Sequence, residues 1–120
     1  MDVINIEKVE PFTTKDGSEI RELLAHRNSC IRNQSLAEAR LPPGASTIGH
    51  RHLKTEESYY VLDGKGTMQI GEDRRQVGVG DAIAIPPGEL HQIANTGEET
   101  LKFLCCCAPG YEHGDTILGE

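Results

Sequence analysis

No part of this chain is basic enough to track a nucleic-acid backbone. Lysine and arginine together number 12 against 19 acidic residues, the formal net charge is -7, and no basic stripe is present. Nucleic acid is therefore excluded as an expected partner. No apolar run is long enough to cross a bilayer. The opening residues Met1-Asp2-Val3-Ile4-Asn5 lack the basic segment and apolar core of a signal peptide, so a cytoplasmic location is expected. No segment keeps a helical period with a cap, and neither a recognition helix nor a second domain is expected. The four cysteines do not have zinc-knuckle spacing. Cys30 is distant, and strand alternation sets Cys106 opposite Cys105 and Cys107, so the trio is no ready disulfide pair.

What the chain does have is turn chemistry at short intervals. Asp63-Gly64 is a hairpin signal, and Gly71-Glu72-Asp73, Gly78-Val79-Gly80-Asp81, Pro86-Pro87-Gly88 and Asn95-Thr96-Gly97 read as further turns. Between them lie short runs rich in β-branched and aromatic residues: Glu57 to Asp63, Lys65 to Ile70, Arg74 to Val77, His91 to Ala94 and Leu101 to Cys107. Glu72, Asp73, Arg74 and Arg75 read as a solvated charge run. Ala82 to Ile85 is apolar throughout and reads as a buried strand. Ser18 to Leu24 admits a helical turn or a strand, and a strand is the expectation. This pattern predicts an all-β sandwich or barrel over a single domain, residues 1–120.

The chemistry is concentrated in two stretches. The first is Gly44-x5-His50-x-His52-x4-Glu57-x6-Gly64, and the second is Gly80-x5-Pro86-x-Gly88-x2-His91-x3-Asn95. His50 and His52 are two apart, so on a strand both imidazoles face the same way. With Glu57 and His91 they make a set of three imidazoles and one carboxylate, which suits a divalent transition metal with coordination positions to spare.

These stretches, 44–64 and 80–95, match both motifs of the cupins at every anchor, and the chain resembles a small single-domain cupin. The interval to Gly64 selects Glu57 over its neighbour Glu56 as the motif glutamate. The resemblance implies a jelly-roll (double-stranded β-helix) barrel with one metal ion in its mouth and a homodimer. It implies His50, His52, Glu57 and His91 as the ligands. Manganese or iron is favoured for an octahedral nitrogen–oxygen shell, while zinc, nickel and copper follow from affinity order. It leaves the reaction open, because one fold hosts many chemistries.

Around this site, alternation places Tyr59 on the face of Glu57 and Ile93 on that of His91, and Met68 is expected to point inward. With Lys102 in solvent, Leu101, Phe103, Cys105 and Cys107 face in, so Phe103 and Cys105 are expected in the pocket, where the thiol is open to oxidation or substrate contact. The expected substrate pocket is thus Tyr59, Met68, Ile93, Phe103 and Cys105. Tyr60, Leu62, Leu104 and Cys106 fall on the opposite face, which suits a dimer contact. His26 and His113 read as surface residues, and the tail 108–120 is a candidate lid over the barrel mouth. Gln34 and Glu38 are left outside the site.

Three functions fit. One is a metal-dependent oxygenase or decarboxylase acting on a small oxygen-bearing metabolite, although no carboxylate beside the metal is placed by the sequence. Another is a sugar or sugar-acid isomerase, for which Arg40 is the candidate cation. The last is a ligand-binding module without turnover.

Overall fold

The computed structural model describes residues 1–119. Eleven strands follow in chain order among them: β1 (Phe12–Thr13), β2 (Glu19–Leu24), β3 (Ser35–Leu41), β4 (His50–His52), β5 (Glu56–Asp63), β6 (Lys65–Ile70), β7 (Asp73–Gly78), β8 (Ala82–Ile85), β9 (His91–Asn95), β10 (Leu101–Ala108) and β11 (Thr116–Leu118). Two short 3₁₀ turns, Ile6–Lys8 and His113–Asp115, are the only helical segments among the described residues. Neither is long enough to cross a membrane. Residues 19–24 form the expected strand.

Two antiparallel sheets face each other. One has the order β1-β2-β3-β10-β5-β8 and the other β11-β4-β9-β6-β7. Strands distant in the chain are neighbours in space, so the chain winds as the jelly roll that the resemblance implies. Burial follows the period of two. Along β5, Glu57, Tyr59 and Val61 are buried, while Ser58 and Tyr60 are exposed. Along β10, Leu101, Phe103, Cys105 and Cys107 point inward as alternation requires. Registry then stacks inward columns across three strands: Phe103 lies between Val61 and Ala39, and Cys105 between Tyr59 and Ala37. Leu41, Val61, Ile93, Leu101 and Phe103 are the driest part of the core.

One expectation changes. The apolar run Ala82–Ile85 is not a buried strand. It is the edge of the six-stranded sheet, paired only with β5, and Ala82 and Ala84 are exposed while Ile85 alone is buried. The described part of the tail, residues 108–119, packs against the end of the barrel that carries His52. Its last part is strand β11, paired with β4 so that Thr116 lies opposite His52. The Asp115 carboxylate accepts from the backbone N–H of Lys54 and Thr55, which fixes the tail to the β4–β5 connection.

Candidate metal centre

The two sheets meet at one end of the barrel around the histidines. His50 and His52 come from β4 and His91 from β9, where His50 and His91 are direct cross-strand partners. Glu57 comes from β5 in the opposite sheet. All four are buried. The three histidines offer nitrogen atoms within 4.8 Å of one another. Glu57 Oε1 lies 3.1 Å from His52 Nε2 and 3.5 Å from His91 Nε2.

Hydrogen bonds on the far side of each ring fix which nitrogen is free. His50 Nδ1 lies 2.7 Å from the Ile48 carbonyl, and His91 Nδ1 lies 3.0 Å from the Glu89 carbonyl. A carbonyl can only accept, so both Nδ1 atoms carry the proton. His52 Nδ1 meets Thr116 Oγ1 at 3.1 Å. The Thr116 hydroxyl proton is already donated to the Glu112 carbonyl, so Oγ1 accepts from His52. In the neutral form all three rings therefore present an Nε2 lone pair to one point. Such outer partners orient metal-binding imidazoles and set their tautomer.

The donor set fits a cation for a second reason. Glu57 Oε1 and His91 Nε2 are buried without a hydrogen-bond partner. Orphaned buried polar atoms are costly, and an ion held between them would satisfy both. Burial pushes the Glu57 carboxyl up; when His52 and His91 are protonated at Nε2, their hydrogen bonds and charge outweigh burial and hold the group at about 2. Burial, and next the charge on His91, push the His50 imidazole down, and the Asp16 charge opposes them. Glu57 Oε2 accepts from the Cys107 thiol at 3.2 Å.

Beside the histidines lies a cavity of about 40 Å³. By that measure one water occupies roughly 10–15 Å³, so the space holds only a few non-hydrogen atoms. Tyr59, Phe103 and Cys105 line it, as do His50, His52 and Glu57. Met68 and Ile93 do not. Both are buried in the core, where Met68 pairs with Ile93 across β6 and β9. Burial pushes the Cys105 thiol well up, so it stays protonated at neutral pH and is a poor target for oxidation. Arg40 is also remote. It hydrogen-bonds Glu38 on the other face of β3, and neither residue lines the cavity. No lysine or arginine lines the cavity among the described residues.

Sequence reasoning missed Asp16, Glu22, Thr116, Tyr111 and Cys107 as neighbours of this site. Asp16 sits in the turn between β1 and β2, with Oδ2 3.3 Å from His50 Nε2. Its sequence signal was Asp16-Gly17, which marks a turn and says nothing of where the turn lands. Tyr111 stands edge-on to His52, with ring centroids 5.9 Å apart. Glu22 is paired with Arg27 at 2.8 Å, and Arg27 also reaches Glu112 of the tail.

The family model for the cupin domain matches residues 37–107, more than half of the chain. The chain is a cupin. It is 47% identical to an uncharacterized protein of Methanocaldococcus jannaschii, over 95% of this chain and 91% of that one. It is 34% identical to an oxalate-binding protein of Thermotoga maritima, over 72% and 71% of the two chains. Among solved structures it is similar to a protein described as a predicted oxalate decarboxylase from Thermotoga maritima. That cupin superposes with a TM-score of 0.78 at 28% identity, over 90% of this chain and 99% of the other.

Proposed function

We propose that this cupin holds one divalent transition metal ion through His50, His52, Glu57 and His91, and that the ion binds a very small acid of the oxalate class for decarboxylation or oxygenation. The observation that carries the reading is the convergence of three Nε2 lone pairs and an unpartnered Glu57 oxygen beside a cavity of about 40 Å³. A bound divalent ion would supply Lewis acidity to the oxygens of such a ligand. The rest belongs to the chain: Ile48, Glu89 and Thr116 aim the rings, Cys107 steadies Glu57, and Phe103 and Tyr59 keep water scarce. Mixed imidazole and carboxylate donors favour manganese or iron, and affinity order admits zinc, nickel or copper.

The relatives' names support the oxalate class. The size of the cavity and the distance of Arg40 argue against a sugar acid. A binding role without turnover is the second reading, favoured by the cavity wall, which supplies no lysine or arginine for a reacting anion. The proposal includes a homodimer formed through the outer face of the six-stranded sheet, where Tyr60 is 46% exposed beside Leu62 and Leu104.

The test is titration of oxalate into metal-free and manganese-loaded protein by calorimetry, followed by assay of carbon dioxide and formate. Binding only to the loaded form supports the reading, and product formation then separates enzyme from binder. A protein that takes up no divalent metal would sink the metal-dependent reading and leave binding without turnover.

A further inference from the structure

Asp16 lies outside both cupin motifs, in a turn 34 residues before His50 by the numbering. Its Oδ1 atom is saturated. It accepts from the Thr14 hydroxyl at 2.6 Å, the Ser18 N–H at 2.9 Å and the Ser18 hydroxyl at 2.7 Å. These bonds leave Oδ2 to face His50 Nε2 at 3.3 Å. Ile48 links the turn directly to His50. The Ile48 N–H donates to the Asp16 carbonyl at 2.7 Å, and the Ile48 carbonyl accepts from His50 Nδ1. Lys15 Nζ ties the same turn to the His113 and Thr116 carbonyls.

Because His50 Nδ1–H is committed to Ile48, its neutral ring turns a lone pair toward the Asp16 carboxylate. Two acceptors at that distance repel unless a proton or a metal cation lies between them. Neighbouring donors on an octahedral ion, each about 2.1 Å from it, stand about 3.0 Å apart. The three carboxylate–imidazole spacings here are 3.1, 3.3 and 3.5 Å. Glu57 takes the side of His52 and His91, and Asp16 takes the side of His50. His50 belongs with His52 and His91 to the group whose nitrogens lie within 4.8 Å of one another, and His91 Nε2 and Glu57 Oε1 are buried and unpartnered.

We infer that Asp16 is a fifth protein donor of this metal centre, supplied by the β1–β2 turn rather than by either motif. This rests on the metal-binding reading above. With Glu57 it gives the site two carboxylates, which match the charge of a divalent ion. It fills one of the two octahedral positions that the four motif residues leave, so a chelating acid has to displace it.

The experiment is titration of manganese(II) chloride into metal-free wild-type, Asp16→Asn and Ser18→Ala proteins, with the manganese electron paramagnetic resonance spectrum of each. Asp16→Asn keeps an oxygen for the turn and removes the charge, and it should weaken manganese affinity about tenfold or more and change the spectrum. Ser18→Ala loosens the same turn but keeps the carboxylate, and its loss should be smaller. A smaller loss than tenfold in Asp16→Asn, or equal losses in the two variants, would overturn the assignment. Should Asp16→Asn fail to fold, the wild type still decides: hydrogen exchange at residues 14–18 should slow on manganese loading, and unchanged exchange would overturn it. A wild type that binds no manganese would instead refute the metal-binding reading itself.

Discussion

Two backbone carbonyls and one threonine hydroxyl decide which nitrogen each histidine offers. Thr116 is the most informative of the three to change, because it is a side chain and lies far from both motifs. Thr116→Val removes the acceptor for His52 Nδ1 while keeping the shape of the residue. Manganese affinity should fall roughly tenfold, within the range for partners of metal ligands, and the metal-free protein should lose about 1–3 kcal/mol because His52 Nδ1–H is left buried without an acceptor. Competition against a fluorescent chelator measures the first and a thermal scan the second; an unchanged affinity would show that the hydroxyl does not orient the ring. Asp16 makes a prediction of opposite sign for the two ligands. Oxalate should bind manganese-saturated Asp16→Asn more tightly than manganese-saturated wild type, since no charged carboxylate has to leave. Calorimetry under saturating manganese reads this directly, and weaker oxalate binding by the variant would count against displacement.

Among the strands and turns, glycines at two motif positions share a backbone conformation but not a neighbourhood. Gly64 and Gly88 have φ values of 83° and 81°, where a side chain is strained. A Cβ on Gly64 would also stand 2.8 Å from the Thr100 carbonyl oxygen, whereas one on Gly88 would meet open space. Gly88→Ala should therefore cost about 1–2 kcal/mol from left-handed strain alone, and Gly64→Ala more, by roughly the 1–3 kcal/mol typical of overpacking. Denaturant unfolding of both variants checks the order. The strands and their inward faces were legible in sequence because alternation is local: Glu57-Ser58-Tyr59-Tyr60-Val61 states its own orientation. The histidine and glutamate positions were legible because glycine and proline spacing brackets them. Asp16 and Thr116 were not, because they arrive through β1–β2 and β11, and only the sheet order puts those next to β4. The apolar run Ala82–Ile85 misled for a related reason, since composition cannot tell an edge strand from a central one.

For the molecule as a whole, the buried site makes stability depend on pH. His50 titrates below its ordinary value of 6.5 in the folded chain, so its contribution is complete above 6.5 and is lost as pH falls below it. Glu57 is held at about 2 against 4.5, so its contribution is complete above 4.5 and is lost between there and about 2. The melting temperature of chelator-treated protein should fall on acidification from pH 7 toward 5, and His50→Gln should flatten that slope. An equal slope in the variant would remove His50 from the account. Assembly is tested separately. Leu104→Glu, on the outer face of β10, should halve the mass seen by light scattering if the proposed dimer uses that face, and an unchanged mass would exclude it. The cavity wall, finally, carries Asp16, Glu22 and Glu57 and no lysine or arginine. An anionic guest meets three carboxylates and no cationic lysine or arginine there until a cation is seated. Binding is thus compulsorily sequential, metal before acid. An excess of oxalate added first will sequester the free ion in solution and delay occupancy of both, so the order of mixing becomes visible as a lag.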